Sequence, residues 1–370
     1  MSLEEQTIVV GAGVVGLSIS LGLLHRGHSV TVLDGEDSDL RASFGNFGLV
    51  WLQGKGANNP AYARWTREAV SAWPTFAEKV SAASGIDLAL DQCGGYEFFT
   101  NPKELEVFTK YLSQQAAALG DQFSHEVLTP EALRDRLPGI GPDVVGATFC
   151  PLDGHVNPLR LHRALREAVL AEGGRIETGR PVETITRQAS GLFKVSDDKG
   201  NATDGNRIVL CAGLGSARLG PQLGFQADIR AQRGELLITE KLRAELPFLS
   251  STIRQVDEGG IQIGGTKAEI GPDDSETPEK VAELARHAVT VWPALADAKV
   301  IRSWGALRVM TRDGYPIYQK SQSHPGAFLV TCHSGITLAS LHATQLADWM
   351  DNHPDAPNLE AFDERRFTLS

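Results

Sequence analysis

Gly11, Gly13 and Gly16 stand in the spacing G-x-G-x-x-G, and Asp34 follows 18 residues after the last of them. Residues in this pattern act on phosphate through the main chain. The first glycine permits a tight turn, the second lets backbone approach a pyrophosphate, and the third lets a helix lie close to the preceding strand. Free N–H groups at that helix start suit the phosphates, and the carboxylate of Asp34 suits ribose hydroxyls. The spacing alone is weak evidence. Placed between a strand and a helix it predicts a bound dinucleotide, NAD or FAD. The competing reading is a βαβ turn that keeps its glycines for packing.

A second chemical signal is Arg308 in "SWGALRVMTRDGYPIY", residues 303–318. A guanidinium cannot lose its charge in a protein, so a buried one requires a partner. Arg308 is either a strand-end arginine, exposed or paired with Asp313, or it waits for an anionic ligand. His333 and His155 read as turn residues rather than bases. Cys93, Cys150, Cys211 and Cys332 lie far apart with no C-x-x-C pair. That spacing predicts a reduced, cytoplasmic protein with neither a disulfide framework nor a metal site.

The elements that must position these groups are legible in outline. Residues 8–10 read as a buried parallel strand, 17–26 as an apolar helix ended by Gly27, and 30–33 as the next strand. The uncharged run 7–24 is long enough for a membrane span, but Gly11, Gly13, Gly16 and Gly22 divide it. No integral membrane segment is expected. "RASFGNFGLVW" (41–51) has small residues that let backbone lie against a flat ligand or its phosphates. Helices are expected over 60–83, 102–119 and 277–291, and a buried strand in "NRIVLCAGLGS" (206–216). Residues 225–270 alternate and turn like an antiparallel sheet. A strand at 328–330 leads through His333-Ser334-Gly335 to a helix starting near Ile336.

A chain of 370 residues has room for roughly two domains. The net charge of −11 argues against a nucleic-acid surface.

In their order along nearly the whole chain, these motifs resemble the D-amino-acid oxidase superfamily of FAD enzymes, in the glycine oxidase and sarcosine oxidase branch. The resemblance implies an α/β fold: a Rossmann-like FAD-binding domain (1–80, 145–220 and 300–370) interwoven with an α+β substrate domain (81–144 and 221–299) on a mixed or antiparallel sheet. "GAGVVG" resembles the ADP-binding fingerprint, giving Gly11, Gly13, Val14, Val15 and Gly16 with Asp34 and Gly35. "RASFGNFGL" resembles the loop beside pyrophosphate and flavin, giving Arg41, Ala42, Ser43, Asn46, Phe47, Gly48 and Leu49. The backbone at Val182 would meet the adenine. "VLCAGLGSARL" resembles the flavin motif, giving Cys211, Ala212 and Gly213. "HSGITLAS" resembles a helix start under the flavin pyrimidine, giving His333, Ser334, Gly335, Ile336 and Thr337.

By the same resemblance, Arg308 pairs with the substrate carboxylate beside the flavin. Ala306 falls where the sarcosine oxidase branch has its flavin-linking cysteine, so the FAD is expected to be non-covalent. Val309 and Met310 depart from the Pro-Gly of the glycine oxidase branch. Where that branch has a pocket tyrosine, the strand "TIRQVDEGG" offers Arg254 and Gln255. If Arg254 lines the pocket, two guanidiniums suit a dicarboxylate amine such as iminodiacetate or an opine. If it faces outward, the substrate is a monocarboxylate such as glycine, sarcosine or a D-proline derivative. The expected activity is oxidation of a C–N bond in a small amino or imino acid, with oxygen or another electron acceptor. The alternatives are a flavoprotein subunit that passes electrons to a partner, as in opine or D-hydroxyproline dehydrogenases, and an NAD(P)-linked dehydrogenase. An oligomer is compatible with all three.

Overall fold

The computed structural model describes residues 6–35 and 42–368. Its largest sheet has six strands in the order Ile317–Lys320, Ala327–Thr331, Arg207–Leu210, Gln6–Val10, Ser29–Leu33, Arg175–Glu177. All neighbours are parallel except Ile317–Lys320, which runs antiparallel to Ala327–Thr331. The run 7–24 divides into the Gln6–Val10 strand and the Val14–Leu24 helix. No described helix is long and apolar enough to cross a membrane.

Side-chain alternation assigns the two faces of the sheet. Val9 and Val32 join a core with Leu17, Trp73, Leu165 and Leu341, under the helices Val14–Leu24, Pro60–Ser84 and Pro158–Ala171. Ile8, Val10 and Leu33 point the other way, into a core with Val182, Phe193 and Val195. That face is covered by the antiparallel strands Val182–Arg187, Phe193–Asp197 and Ala202–Gly205. The central strand is flanked on one side by the next strand in sequence and on the other by Arg207–Leu210. Strand order reverses there, and the crevice at the strands' carboxyl ends is where open α/β sheets bind ligands.

The second region is antiparallel. One sheet runs Ile253–Gln255, Gly260–Gly264, Ile229–Lys241, Val300–Thr311, and another Gly95–Phe99, Gly146–Cys150, Glu126–Leu128. The helix Pro278–Val291 packs on the first through Leu284, Ala288 and Val291. The expected boundaries at 145 and 300 cut across these sheets. Gly146–Cys150 and Val300–Thr311, grouped with the nucleotide-binding segments, pair instead with Gly95–Phe99 and Ile229–Lys241.

One further expectation shifts. Residues 333–338 form turns, and the helix is only Ala339–His342. Leu338 N–H still bonds the Ser334 carbonyl, but Ala339 N–H closes a tighter ring on Ile336. Four residues carry little macrodipole, so any donors here act as individual N–H groups of the turn.

Candidate active site

Two cavities meet at the carboxyl ends of the parallel strands. The first, of about 230 Å³, is walled by the fingerprint and by the segments that follow the Ser29–Leu33, Arg207–Leu210 and Ala327–Thr331 strands. Gly11, Gly13, Val14, Val15, Asp34 and Gly35 line it, as do Ala42, Ser43 and Asn46. Val182, Cys211, Ala212, Gly213, His333, Gly335 and Ile336 complete the set of expected residues on its wall. Arg41 lies outside the described residues.

The glycines serve by having no side chain. A Cβ on Gly11, whose φ is +108°, would stand 2.5 Å from the Cys211 carbonyl oxygen. On Gly16 it would stand 2.0 Å from the Gly11 carbonyl oxygen, so Gly16 seats the helix and does not line the cavity. The Ala12 N–H donates to Asp34 Oδ2 at 2.7 Å, and the Val14 N–H to the Ser43 hydroxyl at 3.0 Å. These bonds lock the turn in shape. A cleft bounded by bare glycine backbone, at a helix start and a strand switch point, fits a dinucleotide.

The second cavity, of about 460 Å³, shares Ala42, Asn46, Leu307, Val309, His333 and Ile336 with the first. Phe47, Leu49, Ser334, Thr337 and Arg308 line it. Its volume lies in the usual small-molecule range of roughly 300–1,000 Å³. Thr337 ties the turn to the opposite loop: its hydroxyl donates to the Leu49 carbonyl at 3.1 Å and accepts from Trp51 N–H at 3.3 Å. Gly48 stands behind the wall, where a Cβ would meet the Val156 carbonyl oxygen at 2.3 Å.

Arg308 has no acidic partner among the described residues. Its Nη1 donates to the carbonyls of Thr266 at 2.9 Å and Arg233 at 3.3 Å. Asp313 pairs with Arg366 instead, which removes the surface-pair reading. Burial lowers the guanidinium's pKa from its ordinary value, as expected of a charge that lacks a counter-ion. Its space comes from Gly234, where a Cβ would lie 2.3 Å from Arg308 Nη2. Gly234 is the diagonal neighbour across the strand pair, two residues beyond Gln232, which faces Arg308 in register.

Arg254 is not on the wall of either cavity. It is 3% exposed and held by protein groups. Nε donates to Gln262 Oε1 at 2.8 Å, and Nη1 donates to His155 Nδ1 at 2.9 Å and to the Val156 carbonyl at 3.2 Å. Burial lowers its pKa to about 10. Burial, and then the Arg254 charge, take His155 down to about 4, so the imidazole is neutral and accepts. Gln255 is also a brace: its Oε1 accepts from Leu246 N–H, and its amide donates to the carbonyls of Ala244 and Gly259. Arg254 was left open between the pocket and an outward face, with Gln255 named beside it as a candidate, and neither lies on a cavity wall. On a short antiparallel strand the hydrophobic pattern does not show which face meets a ligand.

The cavity's other charges come from residues the sequence did not single out: Lys55, Glu97 and Lys267. Lys55 stands between two glycines in "QGKGAN", and Lys267 follows the glycine pair of "GGTK". Each is a loop lysine beside glycine, which is only a faint signal. Glu97 accepts a hydrogen bond from the Ser251 hydroxyl, and burial raises its pKa to about 7. His333 is taken down to about 3 by burial, and the charges of Lys55, Arg308 and Lys267 push the same way. It is a neutral residue at the seam rather than a poised base.

Fold and site together have the form of a dinucleotide-binding protein with a cation-lined cavity beside the cleft, and the chain belongs to the family of FAD dependent oxidoreductases, which it matches over residues 6–349. FAD is therefore the dinucleotide, which sets aside NAD(P). It is 41% identical over 365 residues to a subunit of opine oxidase from Rhizobium meliloti, covering 98% of each chain. It is 42% identical over 367 residues to the corresponding opine oxidase subunit of Agrobacterium tumefaciens (strain Ach5), again covering 98% of each. The crystal structure of glycine oxidase from Geobacillus kaustophilus superposes with a TM-score of 0.89 at 22% identity, over 97% of this chain and 98% of that one. The expected glycine oxidase-like fold is thus present, and the chain is an FAD-dependent oxidoreductase.

Proposed function

We infer that the protein oxidises the C–N bond of an opine-type secondary amine, an amino acid whose nitrogen carries a second carboxyl-bearing arm. The observation that carries this reading is Arg308: a half-buried guanidinium with no acidic partner among the described residues, on the wall of a cavity that abuts the dinucleotide cleft. The similarity to opine oxidase subunits favours an opine over glycine or sarcosine. Bound FAD, held without a covalent link beside Ala306, supplies a two-electron acceptor for the hydride on the carbon next to nitrogen. Arg308 binds the carboxylate on that carbon through two parallel hydrogen bonds, which fixes its orientation. The carbonyls of Thr266 and Arg233 hold the guanidinium in place. The imine product then hydrolyses to a carbonyl compound and a free amine. Both opine oxidase relatives are one subunit of their enzyme, which favours passing the electrons to a partner chain rather than to oxygen.

Anaerobic mixing of the FAD-loaded protein with iminodiacetate, an opine, glycine, sarcosine and D-proline tests this. An opine or iminodiacetate is expected to bleach the flavin fastest. Arg308→Ala is expected to lower kcat/KM on the order of 10²–10³, as truncating one side of a buried charge pair does, and Arg308→Lys not to restore it. Gly234→Ala, which crowds only the flexible end of Arg308, is expected to lose on the order of 10²-fold with flavin content intact. A yellow protein that none of these compounds reduces overturns the reading. Peroxide release by the isolated chain as fast as flavin reduction overturns the electron-transfer partner.

A further inference from the structure

We propose that Lys55 and Lys267 form a second anion subsite, which takes the far carboxylate of an iminodicarboxylic substrate whose near carboxylate sits on Arg308. This rests on the opine reading and names the residues that select for it. Both lysines line the same cavity as Arg308. The Lys267 ammonium has no hydrogen-bond or ion-pair partner among the described residues, and that of Lys55 bonds only the Ser334 hydroxyl, at 3.2 Å. Three cations thus share one cavity without a paired carboxylate, in a chain whose net charge is −11. Like charges lining one cavity repel, more strongly at the half-buried Arg308 and Lys55 than at the exposed Lys267, and an arriving anion relieves that repulsion.

The placement is built into the fold. Lys267 directly follows Thr266, whose carbonyl holds Arg308, so the two cations are set by one turn of chain. Lys55 sits on a loop braced from three sides. The Gln115 amide donates to the carbonyls of Leu52 and Lys55, and its Oε1 accepts from Gly54 N–H. Asp153 accepts from the N–H groups of Leu52 and Gln53 and from the Gln53 amide. The Gln53 Oε1 in turn accepts from the Thr148 hydroxyl. A loop fixed this tightly presents its lysine rather than leaving it to solvent. The cations also feel one another: burial lowers the Lys55 pKa first, and the Lys267 charge is the next cause. Glu97, the acid in this wall, bonds Ser251 and pairs with neither lysine within ion-pair distance. Arg254, once the candidate for this second contact, is spent on His155 and Gln262.

The test uses binding rather than turnover. Diglycolate replaces the amine of iminodiacetate with an ether oxygen, so it keeps both carboxylates but cannot be oxidised at nitrogen. Methoxyacetate keeps only one. Affinities of the FAD-loaded protein for both are measured by calorimetry and by perturbation of the flavin spectrum. The ratio of diglycolate to methoxyacetate affinity is expected to fall about tenfold in Lys267→Gln and further in the Lys55→Gln, Lys267→Gln double variant. Lys267→Arg is expected to keep the ratio. Arg308→Ala is expected to weaken both ligands together. An unchanged ratio in the double variant, with Arg308→Ala still weak for both, overturns the subsite and leaves the opine reading standing. Wild-type affinity for both ligands in Arg308→Ala overturns the reading beneath it.

Discussion

The two cavities that share a wall are made of different materials. The dinucleotide cleft is shaped by main chain. Gly11, Gly13 and Gly16 contribute by the absence of a side chain, and the locking bonds run from backbone N–H groups to Asp34 and Ser43. The neighbouring cavity is shaped by long side chains whose charges are left open: Arg308, Lys55 and Lys267. A main-chain site is all-or-none, because one added carbon collides with a carbonyl that cannot move alone. A side-chain site is graded, because each cation can be removed with the backbone intact. On the function proposed above, one half secures the cofactor, while the other is free to tune the substrate.

The largest expected effect probes the first half. Gly11→Ala sets a Cβ 2.5 Å from the Cys211 carbonyl oxygen, at a φ that L residues rarely adopt. Purified Gly11→Ala protein is expected to be colourless and not reconstituted by added FAD, as read by absorbance and fluorescence. A variant that keeps its flavin would show that the cleft yields as readily as the substrate cavity, and the contrast would fail.

An intermediate effect separates charge that binds from charge that braces. Arg254→Met leaves the Val156 carbonyl, His155 Nδ1 and Gln262 Oε1 without their donor. The expected loss is about 1–3 kcal/mol of stability, the usual range for buried groups left unsatisfied, with substrate affinity little changed. Thermal unfolding and a KM for the reducing amine check it. A KM increase matching that of Arg308→Ala would return Arg254 to the pocket.

The same division explains what the sequence disclosed. Main-chain sites leave a local signature, since the residues that shape them are adjacent. Strand, glycines, helix and Asp34 could be read together, and so could the helices over 60–83, 102–119 and 277–291, observed at Pro60–Ser84, Pro102–Leu119 and Pro278–Val291. The substrate cavity is assembled from contacts between distant segments. Arg308 was legible because it interrupts an apolar strand. Gly234, which makes room for it, is set by a strand register that only the folded chain reveals. Lys55 and Lys267 look like ordinary loop lysines until two loops meet. Arg254 misled because a buried arginine with protein partners and one awaiting a ligand have the same local sequence.

The smallest effects distinguish the halves by the sign of their response to pH. His342, 0% exposed in the core beneath the parallel sheet, shares a hydrogen bond between its Nε2 and the Tyr318 hydroxyl at 2.8 Å. Burial takes its pKa from 6.5 down to about 3. Above pH 6.5 it is neutral whether the chain is folded or unfolded, and its contribution is full. As pH falls from 6.5 towards 3 the unfolded chain takes up a proton that the folded one refuses, so stability is lost. Glu97 in the substrate cavity runs the other way. Burial takes it from 4.5 up to about 7, while Ser251 and the charges of Lys55 and Lys267 pull it down. Below pH 4.5 both states hold the proton. Between pH 4.5 and 7 the unfolded chain releases it first, so stability is lost as pH rises. Melting temperatures measured from pH 4 to 8 are therefore expected to separate the variants. The difference between Glu97→Gln and wild type should grow in favour of the variant up to pH 7 and then level off. For His342→Gln the gain relative to wild type should appear only as pH falls below 6.5. Parallel curves for all three proteins would mean that neither group titrates differently on folding, and that the two halves do not differ in this respect.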